Sequence, residues 1–285
     1  MELKTSMSKL THLKQRIQTV GTIKKTTHAM RLTSMSTHTR LKKQKKSLST
    51  YKDVTQEILQ SLSRVELPHT SRPQQNLYIV VGAQKGLCGS FNNRLASWAE
   101  KELLALPSQP EIVCVGKKAQ SYLAESSLQA NTAYPTFTGN NYSEIAHAII
   151  RKATQATAYF SHLVIYSTYS ESFFSQKTRK TVLPLPTLLS PTESASYKDN
   201  ITHNEIIYEQ PPQKIKLYAE QLYAQACLEE TLFLSLVAEH AARFVSMDSA
   251  TRNADNLITS MKRDYNKLRQ GAITRELIDL TSGQL

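Results

Sequence analysis

The chain has 285 residues, with 35 Lys and Arg against 23 Asp and Glu, and a formal net charge of +12. An apolar fraction of 40% with 20% charged residues fits an ordered chain with a core, and no run approaches the roughly 18 apolar residues of a membrane span. Three cysteines (Cys88, Cys114, Cys227) form no CxxC pair, which excludes a disulfide scaffold and points to a reducing compartment.

Charge and helix breakers divide the chain. Residues 1–52 hold 13 Lys and Arg and one acid, Glu2, so the whole positive excess lies there. All ten prolines fall between Pro68 and Pro212. Three segments follow: 1–67, a basic helical strand; 68–212, a breaker-rich middle; and 213–285, a second helical strand.

In the first segment Leu10, Leu13, Ile17 and Val20 step by 3, 4 and 3, and Leu41, Leu48 and Leu62 continue at multiples of seven. This is the narrow seam of a coiled-coil strand. A helix over 7–62 would be roughly 80 Å long. Its stretch Thr33–Thr39 is rich in hydroxyls that compete for the backbone, so packing has to hold it helical. The middle alternates strands (Leu77–Val81, Glu111–Val115, Leu163–Tyr166) with helices (Asn92–Leu106, Lys117–Glu125, and Ser143–Tyr159 with Ser143 as N-cap). Lys177–Leu185 adds an edge strand. That order predicts a small α/β domain. Pro211-Pro212 then opens a helix from Gln213 to Leu280, because proline suits a first helical turn. Along it Ala254, Ile258, Met261, Tyr265, Leu268 and Ala272 average 3.5 residues per step. A helix of roughly 100 Å needs an equally long partner. The N-terminal segment supplies one, which gives an α/β central domain plus a long antiparallel two-helix coiled coil.

Candidate chemistry is sparse. Gly82–Ser90 (GAQKGLCGS) sits where phosphate loops sit, but its G-x3-G-x2-G spacing matches neither known loop and fits a tight strand-to-helix turn. Cys88 opens a helix, which would activate a thiol, yet no His or acid is near it in sequence, and a structural role fits better. The histidines show no metal spacing. The carboxylates Glu229-Glu230 and Asp248/Asp255 fit a solvated helix face. No catalytic residue, cofactor or metal ligand is assigned. The basic start, densest at Lys42, Lys43, Lys45 and Lys46, fits three partners or fates: nucleic acid, a cleaved presequence, or an acidic protein surface. Interleaved aromatics are missing apart from Tyr51, which argues against stacking on single strands.

Three segments together resemble one family, the γ subunits of F-type ATP synthases. Lys25-Thr26-Thr27-His28-Ala29-Met30 is similar to its K-I-T-K-A-M signature, and Gly86-Leu87-Cys88-Gly89 to its D-R-G-L-C-G turn. The most specific likeness is Ala241-Ala242-Arg243, Met247, Ala250-Thr251, Asn253, then Tyr265-Asn266-Lys267, Arg269-Gln270, Ile273-Thr274 and Glu276. Leu183–Pro186 and Tyr208-Glu209 match in order. Gln84-Lys85, His28, Arg275 and the hydroxyls of Thr33–Thr39 depart from the pattern. The resemblance implies a non-catalytic central-stalk rotor, whose coil turns inside a ring of α and β subunits and whose foot docks on the c-ring with ε. It implies contacts to β from Met30, Arg243, Arg269, Gln270, Thr274 and Glu276, and gives the basic face an acidic protein partner rather than nucleic acid. The match at Lys24–Met30 counts against a presequence. Peripheral attachment on the cytoplasmic face of a bacterial plasma (inner) membrane follows from the same resemblance.

Overall fold

The computed structural model describes residues 2–67, 75–126, 128–154, 160–185 and 210–282. Its elements run α1 (Glu2–Ser61), β1 (Asn76–Val81), α2 (Phe91–Leu104), β2 (Glu111–Val115), α3 (Lys117–Glu125), β3 (Thr132–Tyr134), α4 (Tyr142–Thr154), β4 (His162–Ser170), β5 (Gln176–Pro184) and α5 (Pro212–Ser282). By contact the chain forms two compact units, one of Met1–Ser36 with Arg243–Leu285, the other Thr37–Ala242. Among the described residues no helix is long and apolar enough to cross a membrane.

The larger unit is built on a five-stranded sheet in the order β3-β2-β1-β4-β5. The pairs β1–β2, β1–β4 and β2–β3 are parallel, and β4–β5 is antiparallel. Residues of period two on each strand serve opposite faces, and both faces are covered, as parallel strands require. Leu77, Ile79, Val81, Val113, Val115, Leu163 and Ile165 pack on α4, on Leu41 of α1, and on Ala224, Leu228, Leu232, Phe233, Leu236 and Val237 of α5. Tyr78, Val80, Ile112, Cys114, Val164 and Tyr166 meet Leu95, Ala99 and Leu103 of α2 and Ala119 and Leu123 of α3. Each fully buried large side chain contributes about 1.5–3 kcal/mol, so this two-faced core is the main source of the unit's stability.

Several expectations change. β3 was not anticipated, because Thr-Ala-Tyr carries no apolar run and all three residues are only half-buried. β4 runs on to Ser170, with Ser167 and Thr168 buried despite their polarity. α4 begins at Tyr142, so Ser143 lies inside the first turn instead of capping it, and its hydroxyl is used elsewhere. The expected end of that helix at Tyr159 and most of the loop before Pro211 lie outside the described residues. Pro212 opens α5, as its fixed φ and missing N–H favour. Thr33 and Ser34 stay helical by donating to the carbonyls of Ala29 and Met30 at 3.0 and 2.8 Å, which removes the backbone competition expected of them.

Candidate functional site

In the smaller unit the two helices lie antiparallel, and polar pairs join them. Lys24 Nζ donates to Asp255 Oδ1 at 2.6 Å, Thr251 Oγ1 to Thr27 Oγ1 at 2.9 Å, and Arg31 Nη1 to Asp248 Oδ1 at 2.7 Å. Asp248 Oδ2 accepts a further bond from Arg252 Nη2 at 2.8 Å. Positions 24, 27 and 31 continue the spacing of Leu10, Leu13, Ile17 and Val20, so the seam turns polar where its apolar residues stop. The same register sets Ile17 at the level of Met261 and Leu13 at that of Tyr265. Asp248 is therefore a seam partner more than a member of a solvated face, while Asp255 pairs across the seam and stays exposed to solvent as expected. Sequence charge alone missed this, because a single strand does not reveal which acid its partner's bases will meet. Lys24–Asp255 is well exposed and contributes little; Arg31 and Asp248 are only 27% and 22% exposed and hold the pairing more firmly.

Around that seam the expected contact residues separate. Met30 is half-buried beside it, with Ile23, Leu32 and Met35 exposed on neighbouring faces. Arg243 is buried. Toward the end of α5 the seam lapses: Leu268 was expected inside it and is 40% exposed, although Ala272 is buried. Arg269, Gln270 and Thr274 are exposed, with Thr274 Oγ1 donating to the Gln270 carbonyl at 3.0 Å. Glu276 lies within α5, and its side chain falls outside the described residues. Ile273, Leu277 and Ile278 are also exposed there, a concentration of apolar surface. Their sequence signal was apolar residues falling off the 3.5-residue seam.

In the larger unit Lys42, Lys43, Lys45 and Lys46 are all exposed on α1. Further along α1, Lys52 Nζ donates to Glu230 Oε2 at 2.9 Å, and that hydrogen bond pushes the lysine pKa up. Glu229 is buried and accepts from Ser143 Oγ and Gln225 Nε2, each at 2.9 Å. Burial, then the Glu229 charge, raises the pKa of Tyr51 and Tyr142. These two carboxylates also correct the expectation of a solvated face.

The turn 82–90 is a closed joint. Gly82 N–H donates to the Val115 carbonyl at 2.9 Å and Ala83 N–H to Asn92 Oδ1 at 2.9 Å, so neither amide is available to a phosphate. Cys88 is buried with Ala83, Phe91, Ala238 and Ala242 and accepts from Asn92 Nδ2 at 3.1 Å, a packing role. Burial alone pushes the Cys114 thiol up to about 12. Among the described residues no group of three or more His, Cys, Asp or Glu is placed to hold a metal ion.

This order of elements, two paired terminal helices with a doubly covered sheet between them in sequence, has known counterparts. The model of the ATP synthase family matches residues 9–284, which takes in both helices and the sheet. The chain belongs to the ATP synthase family. It is similar to the ATP synthase gamma chain of Rickettsia typhi, 27% identical over 293 residues that cover 97% of this chain and 99% of the relative. The gamma chain of Mycoplasma mobile is likewise 27% identical over 290 residues, covering 97% and 98%. Among solved structures, the Tetrahymena thermophila mitochondrial ATP synthase central stalk and c-ring contains a chain with TM-score 0.58 at 19% identity, covering 79% of this chain and 98% of that one. A chain of the Euglena gracilis mitochondrial ATP synthase rotor gives 0.57 at 17% identity, covering 95% and 99%. This family member thus has the gamma-chain fold of central-stalk rotors.

Proposed function

We propose that the chain is the central-stalk rotor subunit of an F-type ATP synthase, coupling ion flow to ATP synthesis or hydrolysis by turning against catalytic subunits. The family match along both helices and the sheet carries this reading. Segments 1–67 and 213–285 then act as the two strands of a shaft, and 68–212 as the body attached to it. An asymmetric shaft stabilises each catalytic conformer differently at each angle, and only such differential interaction shifts populations. Nucleotide binds on the α and β subunits, and this chain performs no bond chemistry.

The contact surfaces follow from exposure and charge. Arg269, Gln270 and Thr274 with Ile273, Leu277 and Ile278 present the end of α5 to the α/β ring, with Glu276 in the same turns. Met30 and its exposed neighbours face a β subunit, and Lys42, Lys43, Lys45 and Lys46 meet an acidic protein surface. The body docks on ε and the c-ring, which places the chain peripherally on the cytoplasmic face of a bacterial inner membrane. The double variant Arg269→Ala with Gln270→Ala tests the α5 contacts. Both side chains are exposed, so the melting temperature of the chain is expected to stay unchanged while ATP synthesis by the reconstituted complex falls about ten-fold, the loss of roughly 1.4 kcal/mol of contact energy. An unchanged synthesis rate removes both residues from the contact surface.

A further inference from the structure

We propose that Glu229 and Glu230 form the joint that carries torque between the α/β body and α5. The inference rests on the rotor reading above. Most of what holds α5 to the sheet is apolar: Ala224, Leu228, Leu232, Phe233, Leu236 and Val237 meet β-strand and α4 side chains. Apolar burial is strong but non-directional, so it resists separation of the helix better than rotation of the helix about its own axis. Hydrogen bonds to charged groups are directional and stiff.

Two such links leave α5 at consecutive residues. Glu229 Oε1 accepts from Ser143 Oγ in the first turn of α4, and Gln225 Nε2, one turn back on α5, holds the same oxygen, each at 2.9 Å. Glu230 Oε2 accepts from Lys52 Nζ of α1 at 2.9 Å. Consecutive side chains point about 100° apart around a helix, so the two links act off the axis in different directions. Together they tie α5 to the body through α4 and to its partner strand through α1. Burial strengthens both: Glu229 is 7% exposed, and the side chains of Lys52 and Glu230 are 24% and 19% exposed. The α4 N-terminus adds a favourable field for the Glu229 carboxylate. The rings of Tyr142, beside Ser143 in sequence, and Phe233, one turn beyond Glu229, pack 5.3 Å apart and keep the two ends of the α4 link in place. These are positioning residues; they touch no nucleotide and act by fixing the angle of α5 against the body.

The experiment applies an opposing load to single reconstituted complexes turning on ATP, with a bead on the α/β body. Wild type is compared with Ser143→Ala/Lys52→Met and with the charge exchange Lys52→Glu/Glu230→Lys. The first variant is expected to keep its unloaded speed and assembly yield, and to slip at a load at least about two-fold lower, since directional charged hydrogen bonds are lost while the apolar packing stays. The exchange restores an ion pair across the same gap and is expected to slip at nearly the wild-type load. An unaltered slipping load in the first variant overturns the proposal. A folded, assembled exchange variant that slips at about half the wild-type load or less also overturns it, whether or not Ser143→Ala/Lys52→Met folds. A wild-type complex that assembles but does not turn overturns the rotor reading itself, so the two failures are separable.

Discussion

Asp248→Arg is expected to separate the paired helices of the smaller unit. In the native chain this carboxylate accepts from Arg31 across the seam and from Arg252 on its own helix, at 2.7 and 2.8 Å. The substitution removes both bonds and places a third cation between two arginines that remain. Removing one partner of a buried ion pair costs about 3–5 kcal/mol. Asp248 is 22% exposed and water relieves part of that penalty, so a loss of about 2–4 kcal/mol is expected. Nearby apolar seam residues offset little of this, because Lys24, Thr27 and Arg31 occupy the three consecutive seam positions at that level. Thermal melting followed by helix signal should show the variant's transition lowered and sensitive to salt. Adding Arg31→Asp to Asp248→Arg recreates an opposite-charge pair and should recover most of the loss. Recovery by the pair, against damage by either change alone, distinguishes a seam contact from a surface charge effect.

Gly116→Ala is expected to be more damaging despite adding a single methyl. Gly116 has φ +92°, where a side chain is strained, and an added Cβ would sit 2.2 Å from the Gly82 carbonyl oxygen. The neighbour cannot give way, because Gly82 is itself held: its own Cβ position is 2.9 Å from that of Ala119, and its amide is bonded to Val115. Strain and overlap together should destabilise the larger unit by about 4 kcal/mol or more, enough to leave it largely unfolded. Gly271→Ala is the control of opposite sign. Gly271 lies within α5 with nothing within 4 Å of its Cβ position, so alanine should stabilise the helix by about 0.5–1 kcal/mol. Soluble yield and denaturant midpoints of the two variants check both outcomes.

These cases show which features a single strand of sequence discloses. β2 and α3 coincide with their predicted ranges because Gly116 separates them and each has a clear period. The 3.5-residue spacing of Leu10–Val20 and Ala254–Tyr265 likewise announces two partnered helices. Composition was silent on what fills the seam between Lys24 and Ser34. Polar residues at core spacing look like a solvent face until the opposite helix supplies Asp248, Thr251 and Asp255. The same blindness hid Glu229 and Glu230, whose partners lie 86 and 178 residues away. β3 escaped because a three-residue edge strand needs no apolar run of its own. Part of the excess positive charge is paired within the chain, at Lys24, Arg31 and Lys52, while Lys42, Lys43, Lys45 and Lys46 are exposed.

Rotation measured on one reconstituted complex tests the rotor reading most directly. The chain is assembled with α and β subunits fixed to a surface, a probe is attached to the α/β body, and ATP is supplied. The account predicts unidirectional, stepwise turning of the probe that stops when ATP is exhausted. A complex that contains the chain and hydrolyses ATP while the probe stays at a fixed angle would contradict it.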